Sequence, residues 1–388
     1  MIERILKTKL EEMTGFYPVV TLLGPRQSGK TTLARSVFPS FSYANLENPE
    51  IRSMATDDPK TFFEEFPEPI LVDEVQRVPS LLSHIQVRVD ANRAKTGRFI
   101  LTGSHEPLLK EAVSQSLAGR TAELELLPLS MEEIADRTAS LKTDDILLRG
   151  FFPGAWTAGL SPVDFHRNYF RTYVERDVRT ILEVRSSSSF EKFLRLLSGR
   201  IGQVLNLSGL AGEIGVSVPT VEQWLSVTEA SFITFRLHPW SANIGKRFIK
   251  SPKVYFTDVG LAAYLLGIET PQQLARDPLR GHLFENMVVS DLVKSRTNAG
   301  RDPNVFFVRD SKGFEIDALC TFGRNLFPME IKSARTFNPS LAKNLQTFST
   351  VVPDAAKPTL VYDGDSYRDR GGVRCINFRE LSGSALFG

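Results

Sequence analysis

Eight consecutive residues, Gly24-Pro25-Arg26-Gln27-Ser28-Gly29-Lys30-Thr31, have the types and spacing needed to hold a polyphosphate, and Thr32 closes the segment. The two glycines let the backbone turn tightly enough for successive N–H groups to converge on one anion. Lys30 adds a positive charge suited to β- and γ-phosphates, and the Thr31 hydroxyl stands where an Mg²⁺ ligand is required. A pair of carboxylates, Asp73-Glu74, follows 43 residues after Lys30. Asp73 suits the metal shell, and Glu74 suits the task of orienting and deprotonating an attacking water.

Two further residues could complete that chemistry. Thr102 and Ser104 flank a glycine at the end of an apolar run and can offer a hydroxyl to the γ-phosphate or the water; a helix-capping turn explains either one equally well. Arg120 is expected at the ligand-bearing edge of the sheet, where it would neutralise γ-phosphate charge in its own chain or in a neighbouring subunit. The alternative for Arg120 is pairing with a helix C-terminus.

These residues need strands to carry them. Pro18-Val-Val-Thr-Leu-Leu23 is an apolar run of buried-strand type, and the helix that should begin near Lys30 points its positive dipole end at the bound anion. Pro69-Ile-Leu-Val72 delivers the two carboxylates, and Arg98-Phe-Ile-Leu101 delivers Thr102. Strand, glycine-rich loop, helix is the order of a phosphate-binding α/β domain with a parallel sheet. No G-x-G-x-x-G run follows a strand here, so hydride chemistry has no support.

A second constellation lies in the last third. Glu285 sits in a helical stretch, Asp317 on a predicted strand, and Glu330-Ile-Lys332 on the next. Asp317 and Glu330 are expected to share a divalent metal, with Glu285 completing its shell. Lys332 points to the same face as Glu330, where it would position water and stabilise a pentacovalent phosphate.

Between the two, residues from about 130 to 185 read as helical. His166 to Arg179 forms an amphipathic stretch with a stripe at 169, 170, 173, 174 and 178, and its arginines Arg167, Arg171, Arg176 and Arg179 are best explained as a solvated face. Leu207 to Ala230 has helix-turn-helix grammar, turning at Gly215, and Phe232 to Leu237 reads as a strand behind it. The second helix would present Thr220, Glu222, Gln223 and Ser226, a face without Lys or Arg, which is weak for phosphate contact. Lys246-Arg247 with Lys250 is the better basic patch.

The formal net charge of +2 excludes a histone-like polycation, and two cysteines are too few for a disulfide scaffold or a Cys₄ metal site. No apolar run approaches a membrane span, and the charged residues among the first ten argue against a signal peptide, so a cytoplasmic protein is expected.

Taken together, Gly24 to Thr32, Leu71-Val-Asp-Glu-Val-Gln76, Leu101-Thr-Gly-Ser104, Leu117-Ala-Gly-Arg120, Glu175-Arg-Asp-Val178, Lys250-Ser-Pro-Lys-Val-Tyr-Phe-Thr-Asp-Val-Gly260, Glu315-Ile-Asp317 and Glu330-Ile-Lys332 resemble a prokaryotic family of AAA+-like ATPases. Its members carry an N-terminal P-loop domain and a C-terminal region long labelled a domain of unknown function. The resemblance implies an ATPase core, a winged-helix segment and a PD-(D/E)XK-nuclease-like end, and no physiological role. The expected division is a P-loop domain over 1–135, a helical linker over 136–190, a winged-helix-like domain over 191–270 and an α/β nuclease-like domain over 271–388. The expected activity is Mg²⁺-dependent ATP hydrolysis coupled to a DNA-directed, nuclease-type C-terminal module. The alternative is an ATP-switched regulator or scaffold with an inert nuclease fold and a protein-docking winged helix. ATP is the expected ligand, DNA and a second copy of the chain are the candidate partners, and no membrane contact is expected.

Overall fold

A computed structural model describes residues 2–104, 115–174, 187–240 and 251–381. They gather into two units. The first runs to Pro128 and includes residues 230–232 and 297–301; the second holds 129–229, 233–296 and the chain from 302 on. The sequence boundaries at 190 and 270 fall inside the second unit.

The first unit is a five-stranded parallel sheet with helices α1 (Leu6–Phe16), α2 (Lys30–Val37), α3 (Pro49–Asp57), α4 (Pro59–Glu65) and α5 (Leu81–Ala91). Its strands are β1 (Val19–Gly24), β2 (Ser42–Asn45), β3 (Ile70–Asp73), β4 (Phe99–Ser104) and β5 (Thr121–Glu125), in the order β2-β3-β4-β1-β5. Unbroken apolar runs suit strands buried on both faces. Successive residues of one run therefore enter different cores: Val19 and Leu23 join Val72, Phe99, Leu101 and Ile85, whereas Val20 and Leu22 join Leu71, Ile100, Leu33 and Ala34. β4 lies between β3 and β1, so Gly24, Asp73 and the Thr102–Ser104 tip end side by side.

The register corrects one expectation. Thr121 pairs with Val19, the first residue of β1, and the Arg120 carbonyl accepts from Val19 N. Arg120 therefore stands at the amino end of the sheet, the edge opposite the phosphate loop. It grips Asp90 of α5 with two contacts of 2.9 Å. A parallel sheet runs all its strand starts to one side, so a residue just before β5 cannot share the edge where β1 ends.

In the second unit, α6 (Thr143–Arg149) and α7 (Pro162–Tyr169) precede a π-helical turn at Phe170–Val174. Phe165, Tyr169 and Phe170 are buried and Arg167 and Arg171 exposed, which is the expected polarity of that stretch. Val178, Arg176 and Arg179 of the same stretch, and the Glu175-Arg-Asp-Val178 block, lie outside the described residues. Helices α8 (Ser187–Ser198), α9 (Leu207–Ile214) and α10 (Val218–Ala230) follow; Gly215, at φ 87°, makes the left-handed turn between the last two. Ser217 Oγ accepts from Thr220 N at the start of α10. The strand expected behind them is β6 (Thr234–Leu237), paired antiparallel with β7 (Lys253–Phe256). The Lys246–Lys250 patch lies outside the described residues.

A six-stranded mixed sheet ends the unit: β8 (Val305–Arg309), β9 (Glu315–Phe322), β10 (Asn325–Lys332), β11 (Thr359–Tyr362), β12 (Tyr367–Arg370) and β13 (Val373–Asn377), in the order β12-β13-β11-β10-β9-β8. Helices α11 (Val259–Leu265), α12 (Arg280–Asn298) and α13 (Lys343–Val351) complete it. β9 and β10 are antiparallel, and their last recorded pair, Met329 opposite Ala318, lies directly beside Glu330 and Asp317.

Candidate functional site: a phosphate loop and a lysine-stapled carboxylate cluster

The loop after β1 is built for close approach. Gly24 sits at φ 155°, and a Cβ there would lie 2.2 Å from the Leu126 carbonyl oxygen, so only glycine fits. Gly29, at φ 94°, caps α2, and Gln27 also takes the left-handed conformation at φ 61°. Arg4 braces the loop from below, donating to the carbonyls of Ser28 at 2.6 Å and Leu127 at 2.7 Å. Lys30 is buried and donates to the carbonyls of Gly24 at 3.0 Å and Pro25 at 2.8 Å. Burial pushes its ammonium down to about 8, against the pull of Glu74 and Asp73. Arg26 lies 3.9 Å from Glu47, which also holds Arg77 at 2.8 Å.

Asp73 collects three hydroxyls. Thr31 donates to both its oxygens, at 2.9 and 3.1 Å, Tyr43 donates at 3.0 Å, and Thr102 makes the closest contact. Burial, and then Asp73 itself, raise the Tyr43 phenol well above the ordinary tyrosine range, so it stays a donor. The structure thus places Thr102 on the Asp73 carboxylate. The hydroxyl nearer Glu74 is that of Ser104, at 3.4 Å from Oε2. Glu74 itself has φ 57°, a conformation rare outside glycine, and the short helix Val75–Arg77 begins there. Gln76, two residues on, donates from Nε2 to Glu74 Oε2 and to Ser104 Oγ at 2.8 Å.

The donor set fits a magnesium nucleotide: a cradle of backbone with no room for a Cβ, a buried ammonium on it, and a hydroxyl–carboxylate pair beside it. Tyr43, Gln76 and Arg4 are the residues sequence reasoning missed. Gln76 lies in the Leu71–Gln76 block; Tyr43 and Arg4 gave no local signal, because one reaches the site from strand β2 and the other from the segment before α1.

The second unit brings Asp317, Glu330 and Lys332 together. Lys332 Nζ lies 2.7 Å from Asp317 and 2.8 Å from Glu330, and Ile331 N donates to Asp317 at 2.8 Å. Glu330 is buried, and its Oε2 has no hydrogen-bond partner among the described residues. Burial, followed by the charge of Asp317, raises its carboxyl to about 7. Glu285 has different partners: Tyr255 donates to it at 2.6 Å and Lys253 at 3.2 Å, and the same Lys253 ammonium sits 2.5 Å from Glu315. Burial would lower the Lys253 pKa, but Glu285, Asp317 and Glu315 together raise it. Glu285 is itself raised by burial. His282, whose pKa burial lowers, adds an Nδ1 nearby that has no hydrogen-bond partner among the described residues.

The expected metal set of Glu285, Asp317 and Glu330 is divided between two lysines: Glu285 pairs with Lys253, and Asp317 and Glu330 pair with Lys332. Among the described residues no three His, Cys, Asp or Glu side chains are grouped to hold a metal ion. Two ammonium groups, Lys253 and Lys332, are threaded between the carboxylates and supply the positive charge a cation would bring. Lys253 and Tyr255 come from the Ser-Pro-Lys-Val-Tyr-Phe block, where sequence reasoning saw a signature and assigned no role.

Arg236 on β6 is held by Glu222 and Glu229 of α10, each at 2.6 Å. Glu222, expected to face outward for DNA, is spent on that pair, while Gln223 and Ser226 are exposed.

The sheet order and the loop define the first unit as a P-loop, AAA-like ATPase domain, and residues 17–135 match an AAA domain. Residues 140–272 and 280–381 match two domains of unknown function, DUF8612 and DUF4143. The chain is 32% identical over 353 residues to the uncharacterized protein Rv2008c of Mycobacterium tuberculosis, covering 90% of this chain and 77% of that one. It belongs to the family of that mycobacterial protein. An uncharacterized protein of Haemophilus influenzae is 23% identical over 72% of this chain and 75% of its own length. Among solved structures, the Walker-type ATPase of Pyrococcus abyssi is similar over 68% of this chain and 96% of that chain, with 16% identity and a TM-score of 0.46. AMPPCP-bound DnaA from Aquifex aeolicus is similar over 58% and 86%, with 15% identity and a TM-score of 0.30. Likenesses this loose carry no function. No helix among the described residues is long and apolar enough to cross a membrane.

Proposed function

We propose that the protein is a cytoplasmic, Mg²⁺-dependent ATPase that couples its nucleotide state to a DNA-directed C-terminal unit. The observation that carries the ATPase reading is the meeting of Lys30, Thr31, Asp73 and Glu74 at the carboxyl edge of one parallel sheet. Backbone N–H groups of Gly24 to Thr32 cradle the phosphates, and Lys30 leaves the loop carbonyls for the phosphate oxygens. Thr31 and Asp73 would hold the metal, which when bound would neutralise charge on the phosphates. Thr102 and Tyr43 keep the Asp73 carboxylate turned toward Thr31. Glu74 orients a water and accepts its proton. Lys30→Ala is expected to abolish ATP binding or turnover, and Glu74→Gln to keep binding while blocking hydrolysis. Unchanged ATPase activity in Lys30→Ala would sink the reading.

For the second unit, the adjacency of Asp317, Glu330 and Lys332 supports a nuclease-type site acting on DNA. A second reading has its own observation: Lys253 and Lys332 pair with the carboxylates, which suits an ATP-switched regulator or scaffold with an inert nuclease fold. Plasmid incubated with protein, ATP and Mg²⁺ or Mn²⁺ separates the two. Cleavage that Lys332→Ala loses supports the nuclease; no cleavage under any metal or nucleotide leaves the scaffold.

A further inference from the structure

Glu74 is not held alone. Its carboxylate can only accept hydrogen bonds, so the amide atom of Gln76 that faces it must be the NH₂ group, which also reaches Ser104 Oγ at 2.8 Å. That fixes the other amide atom. Gln76 Oε1 is buried and has no hydrogen-bond partner among the described residues, and the residue as a whole is only 8% exposed. A buried carbonyl oxygen without a donor costs stability, and such a group near a reacting centre calls for a functional explanation. The backbone carries a second cost at the same place: Glu74 is a non-glycine residue at φ 57°, and its turn into Val75–Arg77 brings Gln76 back onto the Glu74 side chain.

We propose that Gln76 is the second acceptor for the attacking water. It holds Glu74 with its Nε2 and takes one water proton in a hydrogen bond at its Oε1. Both atoms belong to one planar amide, so the group that holds Glu74 also carries the second acceptor. A water donating to two acceptors has its lone pair set in one direction, toward the γ-phosphorus. The water oxygen then bonds to phosphorus and the bond to the β,γ-bridging oxygen breaks. ADP departs with that electron pair, and Glu74 takes the released proton; Gln76 gains and loses none. Ser104 orients the amide and is a positioning residue.

The inference rests on the ATPase reading, so the assay begins with the wild-type protein and Lys30→Ala. If the wild type hydrolyses no ATP, or Lys30→Ala is as active as wild type, that reading fails first. Given an active wild type, Gln76→Leu is expected to lose about 10²-fold in kcat, the range for a misplaced proton acceptor, with KM for ATP and nucleotide affinity little changed. Gln76→Glu places a carboxylate against Glu74. Its activity should be low at pH 8 and recover as pH falls and the introduced acid protonates, because a carboxylic acid can again both donate and accept. A purely structural role moves neither the kcat-to-KM split nor the pH profile in this way. Gln76→Leu within about threefold of wild-type kcat overturns the inference and leaves the ATPase standing. Should Gln76→Leu fail to fold by circular dichroism, a Gln76→Glu protein with the wild-type pH profile overturns it instead.

Discussion

Thr31 and Asp73, 42 residues apart, meet through both carboxylate oxygens, at 2.9 and 3.1 Å. One residue lies in the first turn of α2 and the other closes β3, so the contact reports that loop and strand end at the same edge of the sheet. Tyr43, from the neighbouring strand β2, supports Asp73 at 3.0 Å. Tyr43→Phe removes that donor without a cavity. It is expected to raise the Mg²⁺ concentration for half-maximal ATPase about 10-fold, as loss of an outer hydrogen bond to a metal-holding carboxylate does. Metal titration of the steady-state rate checks it, and an unshifted curve removes Tyr43 from the site.

Lys30 makes ATP binding pH-dependent. Its ammonium is held down to about 8 by burial in the free protein, and phosphates would raise it. Affinity should therefore be nearly level below 8 and fall as pH rises beyond it, with proton uptake on binding at pH 9. The same shift acts on stability with the opposite slope. The unfolded chain binds this proton more tightly, so the cost of burying the charge is full below 8 and fades toward the ordinary lysine value. Calorimetry in two buffers of different ionisation enthalpy reads the uptake; none at pH 9 excludes Lys30 as the phosphate contact.

Arg120 is tied to Asp90 at the amino end of the sheet. Arg120→Ala is expected to leave kcat for ATP within about twofold of wild type, because surface pairs of this kind contribute little. A large fall would show that Arg120 reaches a nucleotide held by a second copy of the chain. Size measurement with and without a non-hydrolysed ATP analogue, run on both proteins, identifies that assembly.

Lys253 is buried between Glu285 and Glu315. Lys253→Met leaves buried Glu285 without its cation and Glu315 with Arg309 alone, at 3.3 Å, and should cost about 3–5 kcal/mol at pH 7.5, the range for breaking one side of a buried pair. Glu285, already raised by burial, takes up a proton more readily than an ordinary carboxylate. The deficit should therefore shrink at pH 5.5. Thermal unfolding at the two pH values reads it, and an equal loss at both would assign the effect to packing alone.

The chemistry of the first unit was legible because it is local. Gly24 to Thr31 is one turn of backbone, and Asp73-Glu74 is one strand end, so spacing along the chain nearly equals spacing in space. Asp317 with Glu330 was legible for a related reason: a short hairpin leaves one register for the two strands. The sequence by itself determined the loop, the strand ends that bear carboxylates and the helix-turn-helix grammar between them. Tertiary structure alone decided which edge Arg120 occupies, which carboxylate Thr102 serves, that Gln76 turns back onto Glu74, and that Lys253 and Lys332 stand among the acids where a metal had been expected. Those outcomes depend on strand order and on which buried charges find one another. Both are settled by long-range packing and the cost of desolvation, which no local pattern encodes.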